Sequence, residues 1–477
     1  MPDDAGIFSG VFGRGRAGTG SMAWLEAMLE VEAALARALE RAGLAPEGAG
    51  AAVTEAARPG NFDVAELGAL AALTGNPVPA LARALAGKLP KAAAGAVHHG
   101  ATSQDILDTA MMLLAARGID VILADLAAAA RSAAGLAAEH RSTIMIGRTL
   151  LQQAVPVTFG LVAAGWLTGI DEARQGLAQV RAQRLAVQFG GAAGTLASLG
   201  DAGPRVAGLL AGELGLALPV LPWHTDRLRI LDVSAALARA GAVLGKIARD
   251  VTLLAQSEVG EVSEGEPVTG PGAGTGPDAP RRGGSSAMPN KQNPVAAIAI
   301  LGCTRQVPGL LATLTAAAEQ EHQRAAGAWH AEWEPLAALL RLTGSAASWG
   351  AELLGGLEVH PGRMRANLAA AGGFPLAERV TSLLAPALGR TAAHDLVAGA
   401  AARAARAGRP LRDALLQDPE PARRLAEAGV SAEQVEAALD PAGYLGAAGA
   451  FTDAALDAHR RAGGTGKTGQ GEEGSHG

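Results

Sequence analysis

Residues 230–258 hold no proline and place Ile230, Val233, Leu237, Leu244, Ile247, Val251 and Leu254 at intervals of three, four and seven. That period keeps the apolar side chains on one stripe of an α-helix. At about 1.5 Å per residue the helix is a rod of roughly 43 Å. A rod this long cannot bury its stripe in a small core, and the stable solution is a bundle of similar rods, often assembled across subunits. Composition points the same way. Aromatic residues make up 3% of the chain, and the hydrophobic 49% is dominated by Ala, Leu and Val. Ala and Leu are strong helix formers, whereas the aromatic and β-branched residues that favour strands are scarce apart from Val. The expected fold class is all-α, and 477 residues call for two or three domains.

The organisation reads as three helical domains. The first, 1–113, opens on a Gly-rich stretch and then a helix from Ser21 to about Arg41, whose Leu25, Met28, Leu29, Leu35 and Leu39 share one stripe before the stop at Gly43. Further helices are expected over 63–74 and 78–88. The second, 114–357, is a central long-helix bundle, with helices from Pro294 to about Ala318 and from about Leu336 to Leu357. It is interrupted by a loop, 263–294, whose Gly- and Pro-rich stretch holds neither helix nor strand; such loops in a compact domain are lids or disordered segments. The third domain, 358–460, holds shorter helices. A polar, Gly-rich tail, 461–477, is expected to be disordered.

The formal net charge of −6, with no dense basic run, argues against nucleic acid as the partner. One cysteine, Cys303, excludes an intramolecular disulfide framework. Met1–Arg16 lacks the pattern of a signal peptide, and no membrane span is expected, so the chain reads as cytoplasmic.

Chemistry concentrates in residues 284–294, Gly-Ser-Ser-Ala-Met-Pro-Asn-Lys-Gln-Asn-Pro. Two adjacent hydroxyls, Ser285 and Ser286, lie close to Lys291 and Asn293 on a segment flanked by Gly and Pro. A serine acts as a base only when its alkoxide is stabilised by backbone N–H groups and a nearby cation. Gly283 and Gly284 permit the close backbone approach, and Lys291 supplies the charge. A turn with a serine capping the next helix is the plainer reading of a lone Ser-Ser pair; the lysine, the asparagine and the preceding loop argue against it.

Four more clusters carry polar chemistry. His98-His99-Gly100-Ala101-Thr102-Ser103-Gln104-Asp105 precedes a helix, where N–H groups and small hydroxyls suit a carboxylate; an ordinary N-cap beside a half-buried histidine is the alternative. Gly147–Pro156, with Arg148 and Gln152, is expected to open the long helix running towards Arg184 and to offer an anion site. His224, Arg227 and Arg229 precede the 230–258 rod and suit several carboxylates, or else are surface charge. His322 and Arg324 precede Trp329-His330-Ala331-Glu332-Trp333-Glu334. That last pattern resembles a metal motif only weakly, and no metal is expected.

All five clusters, in this order, resemble the fumarase/aspartase superfamily, whose members make or break a bond β to a carboxylate. The likeness extends to Gln-Phe-Gly-Gly-Ala-Ala-Gly-Thr-Leu at 188–196, Leu-Pro-Trp-His-Thr at 221–225, Glu-Val-Gly-Glu-Val at 258–262 and Asp-Pro-Ala-Gly-Tyr-Leu-Gly at 440–446. Within it, the chain looks most like the cycloisomerase branch that lactonises a carboxymuconate in protocatechuate catabolism. The resemblance implies three all-α domains in a homotetramer whose active sites are shared between subunits. It also implies Ser285, Lys291 and Asn293 as catalytic residues. Thr102, Ser103, Gln104, Arg148, Gln152, His224, Arg227, Arg229, Ser286, Met288, His322 and Arg324 are implied to bind a small tricarboxylate, with no metal or organic cofactor.

One departure discriminates among the relatives. Lyases of the superfamily that expel an amine or hydroxide carry a histidine after the Thr of the third cluster; here Thr149 is followed by Leu150. Leucine cannot protonate a leaving group. A carboxylate, stable as an anion at neutral pH, needs no such proton. Leu150 therefore weakens an adenylosuccinate- or argininosuccinate-type lyase, which stays the alternative together with an inactive structural homologue, and is compatible with lactone chemistry.

Overall fold

The computed structural model describes residues 6–15, 18–265, 283–284, 288 and 291–464. Five helices dominate: α1 Ser21–Arg41, α2 Ser103–Glu139, α3 Phe159–Gln183, α4 Leu228–Leu254 and α5 Ala328–Gly355. Shorter helices follow to Gly464, three residues past the expected start of the tail at 461, and 465–477 lie outside the described residues. The described chain forms two compact units, neither of them one sequential stretch. The first comprises 1–128, 172–248 and 296–352; the second comprises 129–171, 249–295 and 353–477.

The long-helix periodicity is realised. Ile230, Val233, Leu237, Leu244, Ile247, Val251 and Leu254 are all buried along α4. The helix starts two residues earlier than the pattern suggests and stops at Leu254 rather than 258. Past the stop the chain folds back: Gly260 takes a left-handed φ of 60° and the Glu261 N–H returns to the Leu254 carbonyl. The expected single helix over 294–318 is instead Val295–Thr304 followed by Val307–Ala317. Pro308 has no N–H to donate and its ring clashes with a preceding turn, so the helix must restart. The helix expected from about Leu336 begins instead at Ala328, with Pro335 inside it. The stretch 295–317 is apolar and long enough to cross a membrane by composition, although none was expected; it carries Arg305 at the break, and a third of it is buried.

In the second unit, residues 147–156 do not open a helix. Strands β1 Ile144–Thr149 and β2 Gln152–Thr158 form an antiparallel hairpin, and α3 begins only at Phe159. Ile, Thr and Val make the segment a good strand, but its turn carries no Asn-Gly signal. Thr149 pairs with Gln152, leaving Leu150 and Leu151 as the two turn residues at φ 50° and 65°. Positive φ at both central positions is the geometry of a type I′ turn, and bulky residues enter it at a cost of about 1 kcal/mol or more each. Leu150 is 96% exposed and Leu151 73%. A second short pair joins β3 Val262–Glu264 to β4 Leu357–Val359, and residues 266–282 of the expected loop lie outside the described residues. The C-terminal helices of this unit close over Val380, Leu384, Val397, Leu411, Leu415 and Val435.

Replacing the turn by Leu150→Asn with Leu151→Gly is expected to relieve the backbone cost and stabilise the protein by about 1 kcal/mol. A thermal melt of wild type and variant checks this; an unchanged or lower midpoint would contradict a strained turn.

Candidate functional sites in the two units

In the first unit the start of α2 carries Asp105 and Asp108, one helical turn apart and both buried. Burying a carboxylate is costly unless every lone pair finds a donor. Asp108 receives the Arg227 guanidinium at 2.7 and 3.1 Å and the Trp329 indole N–H at 2.9 Å. Arg227 also donates to Glu332 at 2.6 Å, and its guanidinium lies 4.8 Å from the Trp223 ring. Burial opposes the charge of Arg227, but Asp108 and Glu332 outweigh it and hold its pKa above the ordinary value. Burial, reinforced by Asp108, pushes the Glu332 carboxyl up even against Arg227. Arg227, expected to hold a substrate carboxylate, thus holds two of the protein's own and is 2% exposed.

Asp105 is satisfied differently. It accepts from His224 Nε2 at 2.6 Å, from the backbone N–H groups of Thr102, Gly190 and Gly191 at 3.0, 3.1 and 2.8 Å, and from Gln188 Nε2 at 3.4 Å. Gln104, buried beside it, donates to Asp108 and to the His224 carbonyl, and accepts from Arg324. The other Arg324 donors reach the Gly191 and Ala192 carbonyls. His322 is exposed and left-handed at φ 47°, with its carbonyl taken by the Thr225 hydroxyl. Arg229 turns to the Arg184 carbonyl, and burial together with the Arg184 charge lowers its pKa. Thr102, Gln104, His224, Arg227 and Arg324 are therefore joined through one network of three buried acids, and Ser103 is next to Thr102 in the chain. The Thr102 and Ser103 hydroxyls make no hydrogen bond among the described residues.

The second unit holds the other expected residues. Arg148 makes a two-pronged ion pair with the fully buried Glu261 at 2.8 and 2.9 Å, and Asn367 donates to the same carboxylate. Arg148 thus anchors the hairpin from within β1, and Gln152 stands exposed beside the turn. The ends of the signature loop are pinned together: Gly284 bridges Gln292, and the Asn293 backbone and side-chain amides both donate to the Gly283 carbonyl at 2.9 and 3.0 Å. A Cβ on Gly283 would come within 2.5 Å of the Asn293 carbonyl, so only glycine permits this closure. Asn293 lines a cavity of about 190 Å³ with Ser263, Gln292 and His360. Ser263 Oγ donates to Glu358 and lies 2.9 Å from His360 Nε2. Lys291 and Met288 are exposed; Ser285 and Ser286 lie outside the described residues.

The residues that sequence reasoning missed are the internal acids: Asp105, Asp108, Glu332 and Glu261. Two acids three apart on an otherwise apolar helix were a legible sign for the first pair. Strained backbone positions occur in each unit. The five non-glycine residues described at positive φ are His98, Leu150, Leu151, Leu196 and His322, and all fall in the clusters singled out from sequence. Such strain concentrates at functional sites.

A family profile described as Lyase matches residues 18–309, and one described as adenylosuccinate lyase C-terminus matches 373–455. The chain belongs to the lyase family. It is 44% identical to 3-carboxy-cis,cis-muconate cycloisomerase of Bradyrhizobium diazoefficiens, covering 94% of this chain and 96% of the relative. It is 45% identical to nitrosuccinate lyase of Streptomyces davaonensis, covering 96% of each. The crystal structure of 3-carboxy-cis,cis-muconate lactonizing enzyme from Pseudomonas putida matches with a TM-score of 0.85 at 40% identity, covering 95% of this chain and 99% of that one. The resemblance to the fumarase/aspartase superfamily and the all-α fold both hold, and this lyase-family chain is an enzyme of the isomerase and lyase classes.

One further pair in this lyase shapes the turn before α2. His98 donates through Nδ1 and its backbone N–H to the buried Glu32 at 2.7 and 2.8 Å. Burial disfavours the imidazolium, but the Glu32 bond and charge, with Asp105 adding, raise the His98 pKa overall. A raised histidine pKa stabilises the fold fully below the unfolded value of about 6.5, and that contribution is lost as pH rises through the folded value. Glu32→Gln is therefore expected to lower the melting temperature most below about pH 6.5. A penalty independent of pH would refute a charged pair.

Proposed function

We propose that this enzyme is a 3-carboxy-cis,cis-muconate cycloisomerase, closing its substrate to 4-carboxymuconolactone in the β-ketoadipate route. The observation that carries this reading is the near full-length likeness to cycloisomerases in both sequence and fold. Leu150 supports it: the residue at the hairpin tip has no proton to give, and lactone chemistry asks for none, because the group that attacks or departs is a carboxylate.

In the proposed reaction one substrate carboxylate adds to an alkene carbon. The electron pair of the broken π bond moves towards the neighbouring carbon and is delocalised onto its carboxylate, and Ser285 delivers a proton to that carbon. Lys291 and the loop N–H groups stabilise the charge that grows on the carboxylate, with Asn293 pinning the loop. One such donor is typically worth about 3 kcal/mol in the transition state. The Thr102 and Ser103 hydroxyls and His322 take substrate carboxylates, while Arg148, Arg227 and Arg324 act on the protein itself. We further propose the three sequential domains expected above and a cytoplasmic homotetramer with shared sites. The apolar stretch 295–317, where Ile298 is 53% exposed, supports subunit contact.

A second reading, elimination from nitrosuccinate, is favoured by the 45% identical relative. There the base removes a proton beside a carboxylate and the C–N bond breaks to release nitrite, again an anion that departs without a proton. Both readings use the same residues and the same absence of an acid at 150.

Purified enzyme is expected to consume 3-carboxy-cis,cis-muconate with loss of its ultraviolet absorbance. Ser285→Ala should lower kcat by about 100-fold or more. Nitrite release from nitrosuccinate without lactone formation would replace the first reading by the second, and unchanged turnover in Ser285→Ala would remove serine from its role.

A further inference from the structure

Thr102 stands where a helix-capping residue belongs, directly before the first residue of α2. An N-cap threonine ordinarily uses its hydroxyl oxygen to accept from an amide two or three residues on. Here the Asp105 N–H goes to the Thr102 backbone carbonyl at 3.0 Å, and the Asp105 carboxylate accepts the Thr102 N–H in return. The acid does the capping, and both hydroxyls at 102 and 103 remain without a partner among the described residues.

The same carboxylate, 1% exposed, also gathers the Gly190 and Gly191 amides, Gln188 and His224. The glycine loop it holds is seated tightly. A Cβ on Gly190 would lie 2.7–2.8 Å from Pro222 and His224, and one on Gly191 would lie 2.9 Å from the Gly100 carbonyl. Three segments distant in sequence are thus tied by one side chain to the turn that carries the two uncommitted hydroxyls.

We propose that Asp105 is a positioning residue for substrate binding: by capping α2 itself and fixing the 188–191 loop and His224, it keeps the Thr102 and Ser103 hydroxyls aimed at a substrate carboxylate. The proposal rests on the reading that those hydroxyls bind carboxylate. Asp105 touches no substrate; its effect passes through Thr102 and Ser103. Asn at 105 keeps the volume but loses the charge and one acceptor oxygen, so the N–H groups it gathers cannot all be satisfied.

The test is a double-mutant cycle on the full-length enzyme, read as the dissociation constant for tricarballylate, an inert tricarboxylate, by calorimetry. Asp105→Asn is expected to weaken binding by roughly 10- to 100-fold, the scale of lost hydrogen bonds to a charged group. In a Thr102→Val/Ser103→Ala background the same change should cost less than about 3-fold more, because interacting residues are not additive. If Asp105→Asn fails to fold, His224→Gln removes one of the five donors and enters the same cycle with a smaller effect. Additive losses would overturn the positioning role, since a purely structural residue weakens both backgrounds alike. Wild type that binds no tricarballylate would instead overturn the carboxylate reading of Thr102 and Ser103.

Discussion

Asp105 and Asp108 are charged groups that α2 carries into an apolar interior, and the first unit is organised around answering them. Asp108 draws in Arg227, which draws in Glu332; Asp105 draws in His224 and the 188–191 loop. Buried ion pairs of this kind add little net stability compared with apolar packing, yet losing one partner costs about 3–5 kcal/mol. Their effect is to make one arrangement far better than its competitors. Segments near 102, 190, 224, 324 and 332 are thereby brought together by two acids on one turn of helix. The second unit repeats the device on a smaller scale, with Glu261 accepting from Arg148 of the hairpin and from Asn367.

Much of this was legible in the chain. The apolar stripes of Ser21–Arg41 and of the 230–254 rod are local patterns, and local patterns survive into the fold. The Leu150–Leu151 hairpin was not legible, because a type I′ turn ordinarily advertises itself with Asn or Gly. The break at 305–306 could have been read from Pro308. The ion pairs were beyond local reading: Arg227 meets Asp108 across 119 positions and Glu332 across 105, and Arg148 meets Glu261 across 113. Arginines that look ready for a substrate carboxylate from sequence are therefore already engaged within the protein. The hydroxyls at 102 and 103 differ: their local motif suggests a small anion site, and among the described residues they make no hydrogen bond. For the loop, sequence places Ser285 and Ser286, and the structure shows Gly283–Gly284 and Gln292–Asn293 holding its two ends together.

The proposed chemistry turns on the hairpin tip. A lyase that expels a basic group must protonate it as the bond breaks, and the tip of this hairpin carries leucine. The chemistry proposed for this enzyme is the kind in which the departing or attacking group is already a stable anion, a carboxylate or a nitrite. Cycloisomerase and nitrosuccinate lyase, the relatives at 44% and 45% identity, both fit that restriction.

The most direct measurement is kcat/KM for purified enzyme across substrates graded by the basicity of the leaving group: 3-carboxy-cis,cis-muconate, nitrosuccinate, argininosuccinate, adenylosuccinate and malate. The account predicts turnover confined to the first two, with carboxymuconate preferred. Comparable turnover of the amine adducts or malate would contradict it.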